Sequence, residues 1–328
     1  MTAPLISIAL PVRNGANYLA AALDSILAQS YGDFELHVSD NASDDATPDI
    51  LADYAVRDPR VKVSRCAELL GQVANMNRAV ALTDTPWVRM ICHDDLLRPD
   101  CMAQTMAAVK AFDGTRVALI GNDERHLFAN GYCTPILDDK PLQRFGGSGV
   151  LKRRFAGAGE TAVLPSITTA TFRKSVFDQM GGFDDRWVHF DIFLWYRTLT
   201  EWDYGWIPAQ LSTNRIHGRQ VAVDARSELR SVLDFQAFIP PFIDEFGDKL
   251  ELTRVERARG KLLPLGVAAA TIAAELQAGR LKRVMRGLRV LPVHWLPLLV
   301  PLVARAVLKE RRRLKTLRAH VPAKLIYP

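Results

Sequence analysis

Apolar residues fall into two alternating rhythms over the first 120 positions. Leu5 to Leu10 is an unbroken apolar run that stops at Pro11, as in a strand buried on both faces. Tyr18/Leu19, Ala22/Leu23 and Ile26/Leu27 then recur every four residues, which predicts a helix with one buried face. Phe34 to Val38 is the next predicted strand. A helix follows, capped by Asp44 or Asp45, with Pro48 in its first turn and Ile50, Leu51, Tyr54 and Ala55 inward. After it come a strand at Val61 to Ser64, a helix at Gln72 to Leu82, a strand at Trp87 to Cys92, a helix opening at Pro99 and a strand at Val117 to Ile120. This alternation predicts an α/β fold: a mostly parallel, Rossmann-like sheet flanked by helices, with ligands at the carboxyl ends of the strands.

From about Asn122 to Pro165 the rhythm breaks. The segment reads as loop, with a hairpin near Asn130-Gly131 and glycines at 146, 147, 149, 157 and 159 among Lys152, Arg153 and Arg154. Order returns with Ile167 to Phe172, a short helix from Lys174 to Met180, Gly181-Gly182-Phe183-Asp184-Asp185, and an apolar helix from about His189 to Leu199. After Arg226 the pattern is helical to the end. Residues 1–225 are therefore expected to form the main domain, in halves 1–121 and 122–225, with 226–328 as a helical extension.

The chain has 328 residues and a mass of 36.5 kDa, with 48% hydrophobic and 24% charged residues, which excludes fibrous and disordered classes. Cys66, Cys92, Cys101 and Cys133 have neither disulfide-framework nor zinc-ribbon spacing. Arg280 to Pro328 holds 13 of the 42 basic residues and one of the 36 acidic ones, so the remainder is net acidic. That placement argues against a nucleic-acid partner, whose basic surface would be built into the folded domain. A basic amphipathic tail from residue 280 to 328 suits an anionic membrane surface, and a solvated face or an oligomer contact is the alternative. Met1 to Leu10 has no secretory pattern, and Val290 to Ala304 is 15 residues with three prolines, short of the ~20 that a spanning helix needs. The expected location is cytoplasmic, with peripheral attachment at the inner face of the membrane.

Two constellations carry candidate chemistry. Pro11-Val12-Arg13-Asn14-Gly15 and Ser39-Asp40-Asn41-Ala42-Ser43-Asp44-Asp45 end the first two strands, where Asp40 could accept from a nucleobase N–H or a ribose hydroxyl. The same acids could instead turn the chain and cap a helix. Cys92-His93-Asp94-Asp95 ends the fourth strand, and adjacent carboxylates with open positions suit Mg²⁺ or Mn²⁺ held jointly with a diphosphate. Asp191 is the sole acid between Val188 and Leu199, set among Phe190, Ile192, Phe193, Leu194, Trp195 and Tyr196, surroundings that raise a carboxyl pKa. Capping of its helix, or pairing with Arg186 or Arg197, is the structural alternative.

As an ordered series these residues resemble the family 2 glycosyltransferases of GT-A fold. The likeness runs through Pro11-Val12-Arg13-Asn14, Asp40 and Asp44, Gly71 with Asn75 and Asn77, Asp94-Asp95, Gly181-Gly182-Phe183-Asp184, Asp191 before Leu194-Trp195-Tyr196-Arg197, and Arg215-Ile216-His217. The resemblance implies an inverting, non-processive transferase that moves a sugar from a nucleotide-diphosphate donor to a glycan or lipid-linked acceptor in cell-surface polysaccharide or glycolipid synthesis. Carried over position by position, Pro11, Arg13, Asn14, Asp40, Asn41, Asp44, Asn75, Asn77 and Asp94 would hold the sugar nucleotide. Asp94, Asp95 and His217 would serve the metal, and Asp191 would be the general base. Two positions depart from the pattern. Cys92 stands where an Asp is usual, and a thiol is a poor ligand for a hard cation; Phe190 replaces the acid that commonly precedes the base.

Processive synthases of that family carry spanning helices and a Gln-x-x-Arg-Trp element, and Arg186-Trp187 lacks the Gln. A nucleotidyltransferase would need a Gly-rich basic loop after the first strand, where only Gly15 stands. A dehydrogenase would need G-x-G-x-x-G. A sugar-nucleotide binder that has lost turnover is the non-enzyme alternative, and Cys92 is its one sequence argument.

Overall fold

The computed structural model describes residues 5–308, apart from 129–130, 136, 138, 157–163, 218–229, 278–283, 286–287, 289–290, 292–294 and 296–297. The hairpin expected near Asn130-Gly131 is present in its described residues, Leu127 bridging Cys133 antiparallel and Phe128 donating to the Tyr132 carbonyl, whereas the 157–159 glycines and most of the basic tail lie outside the described residues.

The first half follows the periodicity closely. Strands β1 (Ile6–Val12), β2 (Glu35–Asp40), β3 (Val61–Arg65) and β4 (Trp87–Met90) alternate with helices α1 (Leu19–Leu27), α2 (Thr47–Arg57) and α3 (Gln72–Ala81). A two-residue strand β5 (Leu96–Leu97) and helix α4 (Cys101–Ala111) come next. All seven residues of β1 are buried, and they divide between two cores. Ile6, Ile8, Leu10 and Val12 meet Leu19, Leu23 and Ile26 of α1, whereas Ala9 faces Val73, Met76 and Val80 of α3. An uninterrupted apolar run was needed because both faces of the strand are covered.

The second half departs from the expected loop. β6 (Val117–Phe128) continues eight residues beyond the predicted strand, β7 (Gln143–Phe145) follows, and helix α5 (Gly147–Ala156) opens at a glycine that the sequence suggests is loop. A Cβ at Gly147 would stand 1.9 Å from the Trp202 carbonyl oxygen, so this glycine serves close packing. A 3-10 turn (Ile167–Thr169) leads into β8 (Ala170–Arg173), α6 (Lys174–Gln179) and α7 (Phe190–Thr198). β9 (Asp203–Ile216), 14 residues long, has no counterpart among the predicted strands.

These elements complete one sheet in the order β3-β2-β1-β4-β8-β6-β9-β5, with β7 on β9. Pairings among β1 to β4 are parallel, as is β6 with β9, but β8 enters antiparallel between β4 and β6, and β5 and β7 are antiparallel to β9. The expectation of a mostly parallel sheet holds for the first half, and the second half is mixed. Its insertion brings the ends of β6 and β9 beside the end of β4.

Helices α8 (Arg230–Phe246), α9 (Arg254–Lys261) and α10 (Leu263–Gln277) follow. α8 packs its apolar face on α7, with the Phe193 and Phe238 rings stacked 4.0 Å apart. The extension thus roofs the helix that carries Asp191. Among the described residues, no helix is long and apolar enough to cross a membrane.

Candidate active site

The loops after β1 and β2 are tied together by side chains singled out from the sequence. The Asn14 amide nitrogen donates to Asp44 (2.6 Å), the Asp44 backbone N–H donates back to the Asn14 side chain (3.0 Å), and the Asn14 N–H donates to the Ser43 hydroxyl (2.9 Å). Asn14 and Ala42 both adopt φ 50°, the left-handed region, which these contacts stabilise. Asp45 accepts from the backbone N–H groups of Ala16 and Thr47, so it joins both loops to the start of α2. Arg13 donates to the Asn41 carbonyl, and the Asn41 side chain clasps both backbone groups of Leu70. Pro11 is buried in β1 opposite Ser39.

Asp40, 1% exposed, lies at the base of this cleft. One carboxylate oxygen accepts from the Ser43 N–H at 3.1 Å. The other has no hydrogen-bond partner, its nearest cation being Arg65 at 3.6 Å. A buried carboxylate oxygen left unpaired is costly, and a ligand N–H or O–H entering the cleft would satisfy it. Arg65, which ends β3, does not stand out in the sequence. Its position at a strand terminus beside β2 was the available signal.

Asn75 and Asn77, expected to contact the sugar nucleotide, are both hydrogen-bonded within the protein. The Asn75 side chain is hydrogen-bonded to the hydroxyl and the carbonyl of Ser39, and Asn77 clasps both backbone groups of Phe183. They are struts: Asn75 holds α3 under β2, and Asn77 fixes the Gly181-Gly182 turn, whose glycines have φ 85° and 72°.

The β4 end contributes Cys92, His93, Asp94 and Asp95. His93 packs on Gly15, where a Cβ would stand 2.6 Å from Val12 Cγ2 and 2.7 Å from the imidazole. Gly15→Ala should therefore cost about 1–3 kcal/mol of stability in denaturant melts, through overpacking at this junction. Asp94 meets His217 Nε2 at 2.9 Å, and the His217 ring stacks on Tyr18 with centroids 5.0 Å apart. Arg215 also lies over Tyr18, its guanidinium carbon 5.0 Å from the ring centroid, and donates to the Asp94 carbonyl. In the sequence Tyr18 reads only as part of a helix face.

Asp95, 2% exposed, turns inward. It accepts from the Thr168 hydroxyl at 2.5 Å and from the Arg215 N–H at 2.9 Å. Burial, and secondarily the charge of Asp94, raises its pKa to about 7. Cys92, Asp94 and Asp95 place ligand atoms within 4.8 Å of one another. Burial also pushes the Cys92 thiol well up, and a protonated thiol is a poor ligand for a hard cation.

Asp191 stands in the first turn of α7, accepting the Ile192 N–H at 2.8 Å. Burial among its aromatic neighbours raises its carboxyl to about 6, and backbone N–H groups including that of Ile167 moderate the rise. The alternative partners suggested by sequence are engaged elsewhere or turned away: Arg186 pairs with Asp184, and Arg197 is exposed. Thr168, which donates to Asp95, follows a segment held to α7 by the Trp195 indole N–H on the Pro165 carbonyl, so one stretch of chain joins the acids after β4 to the helix of Asp191.

Residues 7–127 match the family described as Glycosyl transferase family 2. A PGL/p-HBAD biosynthesis glycosyltransferase of Mycobacterium tuberculosis is 40% identical over 115 residues, covering 35% of this chain and 43% of the relative. An uncharacterized glycosyltransferase of Rickettsia prowazekii is 27% identical over 245 residues, covering 70% of each. The chain spans less than half the length of the mycobacterial relative it matches. Among solved structures, a Pyrobaculum calidifontis mannosyltransferase in complex with GDP-Man and Mn²⁺ superposes with a TM-score of 0.58 at 18% identity, covering 97% of this chain and 85% of that one. S. aureus TarS 1–349 in complex with UDP-GlcNAc gives 0.54 at 13% identity, covering 85% and 89%. At such identities the likeness is one of fold.

Proposed function

We propose that the chain, whose residues 7–127 match the model of glycosyl transferase family 2, transfers a single sugar from a nucleotide-diphosphate donor to an acceptor hydroxyl, with inversion. What supports this reading is that Asp94 and Asp95 end β4 while Thr168, which donates to Asp95, follows a segment tied to α7 and its Asp191 by the Trp195–Pro165 hydrogen bond. The donor would occupy 1–121, with its base at Asp40 and its diphosphate near Asp94, and the acceptor would occupy 122–225. Asp191 takes the acceptor proton as the acceptor oxygen bonds to the anomeric carbon. The anomeric carbon–oxygen bond breaks on the opposite face, and its electron pair leaves with the nucleoside diphosphate. A positioned base of this kind contributes ~10²- to 10⁴-fold.

Mg²⁺ or Mn²⁺ fits the donor set in a reduced form. Asp94 and His217 would hold it, Asp95 bracing from behind because both its oxygens already accept from protein donors. When bound, the ion would neutralise charge on the leaving diphosphate. Protein groups already face that region: Arg215 spans Asp94, Asp95 and Tyr18, and keeps the loop after β4 against the end of β9.

A thermal-shift panel of UDP, GDP, dTDP and CDP, each with Mn²⁺, Mg²⁺ or EDTA, tests the donor half. One nucleotide should shift the melting temperature, since ligand at ~100 times its Kd adds ~2.7 kcal/mol. Asp40→Asn should weaken that nucleotide about 10- to 100-fold through loss of the buried acceptor. No shift with any nucleotide would remove the transferase reading, and a shift without turnover would favour a binding protein.

The acceptor class proposed is a glycan or lipid-linked hydroxyl, with peripheral attachment to an anionic membrane through residues 280–328. The charge of that tail supports this, as do Leu298, Val300 and Leu308, all half or more exposed. Basic residues near an anionic surface gain ~1 kcal/mol each. The protein should float with phosphatidylglycerol vesicles at low salt, whereas phosphatidylcholine vesicles should leave it behind.

A further inference from the structure

Arg89 is 1% exposed in the centre of the sheet, on β4, and among the described residues no carboxylate lies within ion-pair distance of it. Its guanidinium donates to four neutral acceptors: the Thr168 carbonyl (3.1 Å), Asn122 Oδ1 (3.0 Å), the Ser212 hydroxyl (2.8 Å) and the Thr171 hydroxyl (3.3 Å). Its Nε has no partner. A buried charge with incomplete compensation is a poor stability device, and an apolar side chain of like volume is often neutral or better. What the arrangement does supply is geometry, because its acceptors lie on β6, β8, β9 and the 3-10 turn at once.

That turn is short and touches Asp95 directly. Thr168 accepts from Arg89 through its carbonyl and donates to Asp95 through its hydroxyl. The chain just before the turn is tied to α7, the helix that carries Asp191, by the Trp195 indole N–H, which donates to the Pro165 carbonyl at 3.0 Å. Ser212 also reaches the Thr168 carbonyl, at 3.4 Å, so Arg89 and Ser212 grip the same peptide.

We propose that Arg89 is a positioning residue: its buried guanidinium sets the turn Ile167–Thr169 against β4 and so fixes Asp95 relative to α7, the helix that carries Asp191 and is tied to the same segment through Trp195. The inference rests on Asp191 being the base. It places the register of the donor and acceptor halves on one side chain that contacts no substrate.

The test compares wild type, Arg89→Met, Arg89→Lys and Asp191→Asn. UDP-glucose, UDP-N-acetylglucosamine and GDP-mannose are offered in turn with Mn²⁺, and nucleotide release is measured alongside UDP and GDP affinity in EDTA. Arg89→Met should lower kcat about 10- to 100-fold, as expected for misplaced reacting groups, while metal-free nucleotide affinity stays within about twofold. Arg89→Lys, which keeps a donor for the Thr168 carbonyl, should recover part of the loss. A folded Arg89→Met with wild-type kcat, or equal loss of kcat and nucleotide affinity, overturns the proposal. Should Arg89→Met not fold, Asn122→Ala and Ser212→Ala each remove one anchor and should lower kcat with affinity kept; wild-type kcat in both overturns it. If Asp191→Asn turns over normally, the base reading fails instead.

Discussion

Asp191→Asn should abolish most turnover while making the protein more stable. Turnover is expected to fall ~10²- to 10⁴-fold, because the acceptor hydroxyl loses its proton acceptor. The stability gain follows from linkage. The carboxyl titrates near 6 when folded against 3.8 for an aspartic acid free in water, so the folded chain binds more protons between those values. The stability contribution of this acid therefore declines as pH rises through that window, and the cost is complete above about pH 6. Its size is up to about 3 kcal/mol at ~1.4 kcal/mol per pH unit. Asn carries no charge and avoids this cost, so the variant should melt higher than wild type at pH 7.5 and the difference should close near pH 4. The same titration governs catalysis with opposite sign, so wild-type kcat should rise with pH through about 6. A variant with wild-type kcat, or a kcat that does not rise with pH across that window, would count against Asp191 as base.

Asp94→Asn should separate the metal from the nucleotide. Asp94 is the carboxylate that pairs with His217 and is not enclosed by protein donors as Asp95 is, and the proposed function makes it the anchor for a divalent ion. The variant is expected to bind its nucleotide equally with Mn²⁺ and with EDTA, whereas wild type should bind more tightly with the ion. Turnover should drop on the order of 10²- to 10³-fold, the scale of losing one preorganised electrostatic contact to the leaving group. Calorimetric titration of the nucleotide with and without Mn²⁺ reads this directly. Unchanged metal dependence in Asp94→Asn would move the ion elsewhere or hand the diphosphate to cationic side chains.

The first half of the fold was legible because strands covered on both faces must be apolar throughout, and helices on a sheet must repeat every three to four residues. β6 beyond Ile120 and β9 were not: the far half of β6 is polar and half-buried, and β9 puts Tyr204, Ile207, Ala209 and Leu211 into the core but interrupts them with Gly205, Pro208 and Gln210, which hides the strand pattern. Gly147 misled for a related reason: glycine marks turns and also sites of close packing, and only the tertiary neighbours of Gly147 distinguish the two.

At the site, residue type told which positions are polar at strand ends, and not which of them face a ligand. Asp40 keeps a buried oxygen without a hydrogen-bond partner, whereas Asn14, Asn41, Asp44, Asn75 and Asn77 bond to the loops and strands around them. Arg65, Arg89 and Thr168 were invisible because their importance lies in partners far along the chain. Thr168 is an ordinary β-branched residue until Asp95 is seen against its hydroxyl.

The central claim is an inverting transfer with Asp191 as base. The measurement that meets it most directly follows the anomeric configuration of the product by NMR, with the accepted nucleotide sugar, in parallel with the rate of Asp191→Asn. A product of opposite configuration, formed by wild type and nearly absent from the variant, is the predicted result. Retained configuration, or a variant as fast as wild type, would contradict the account.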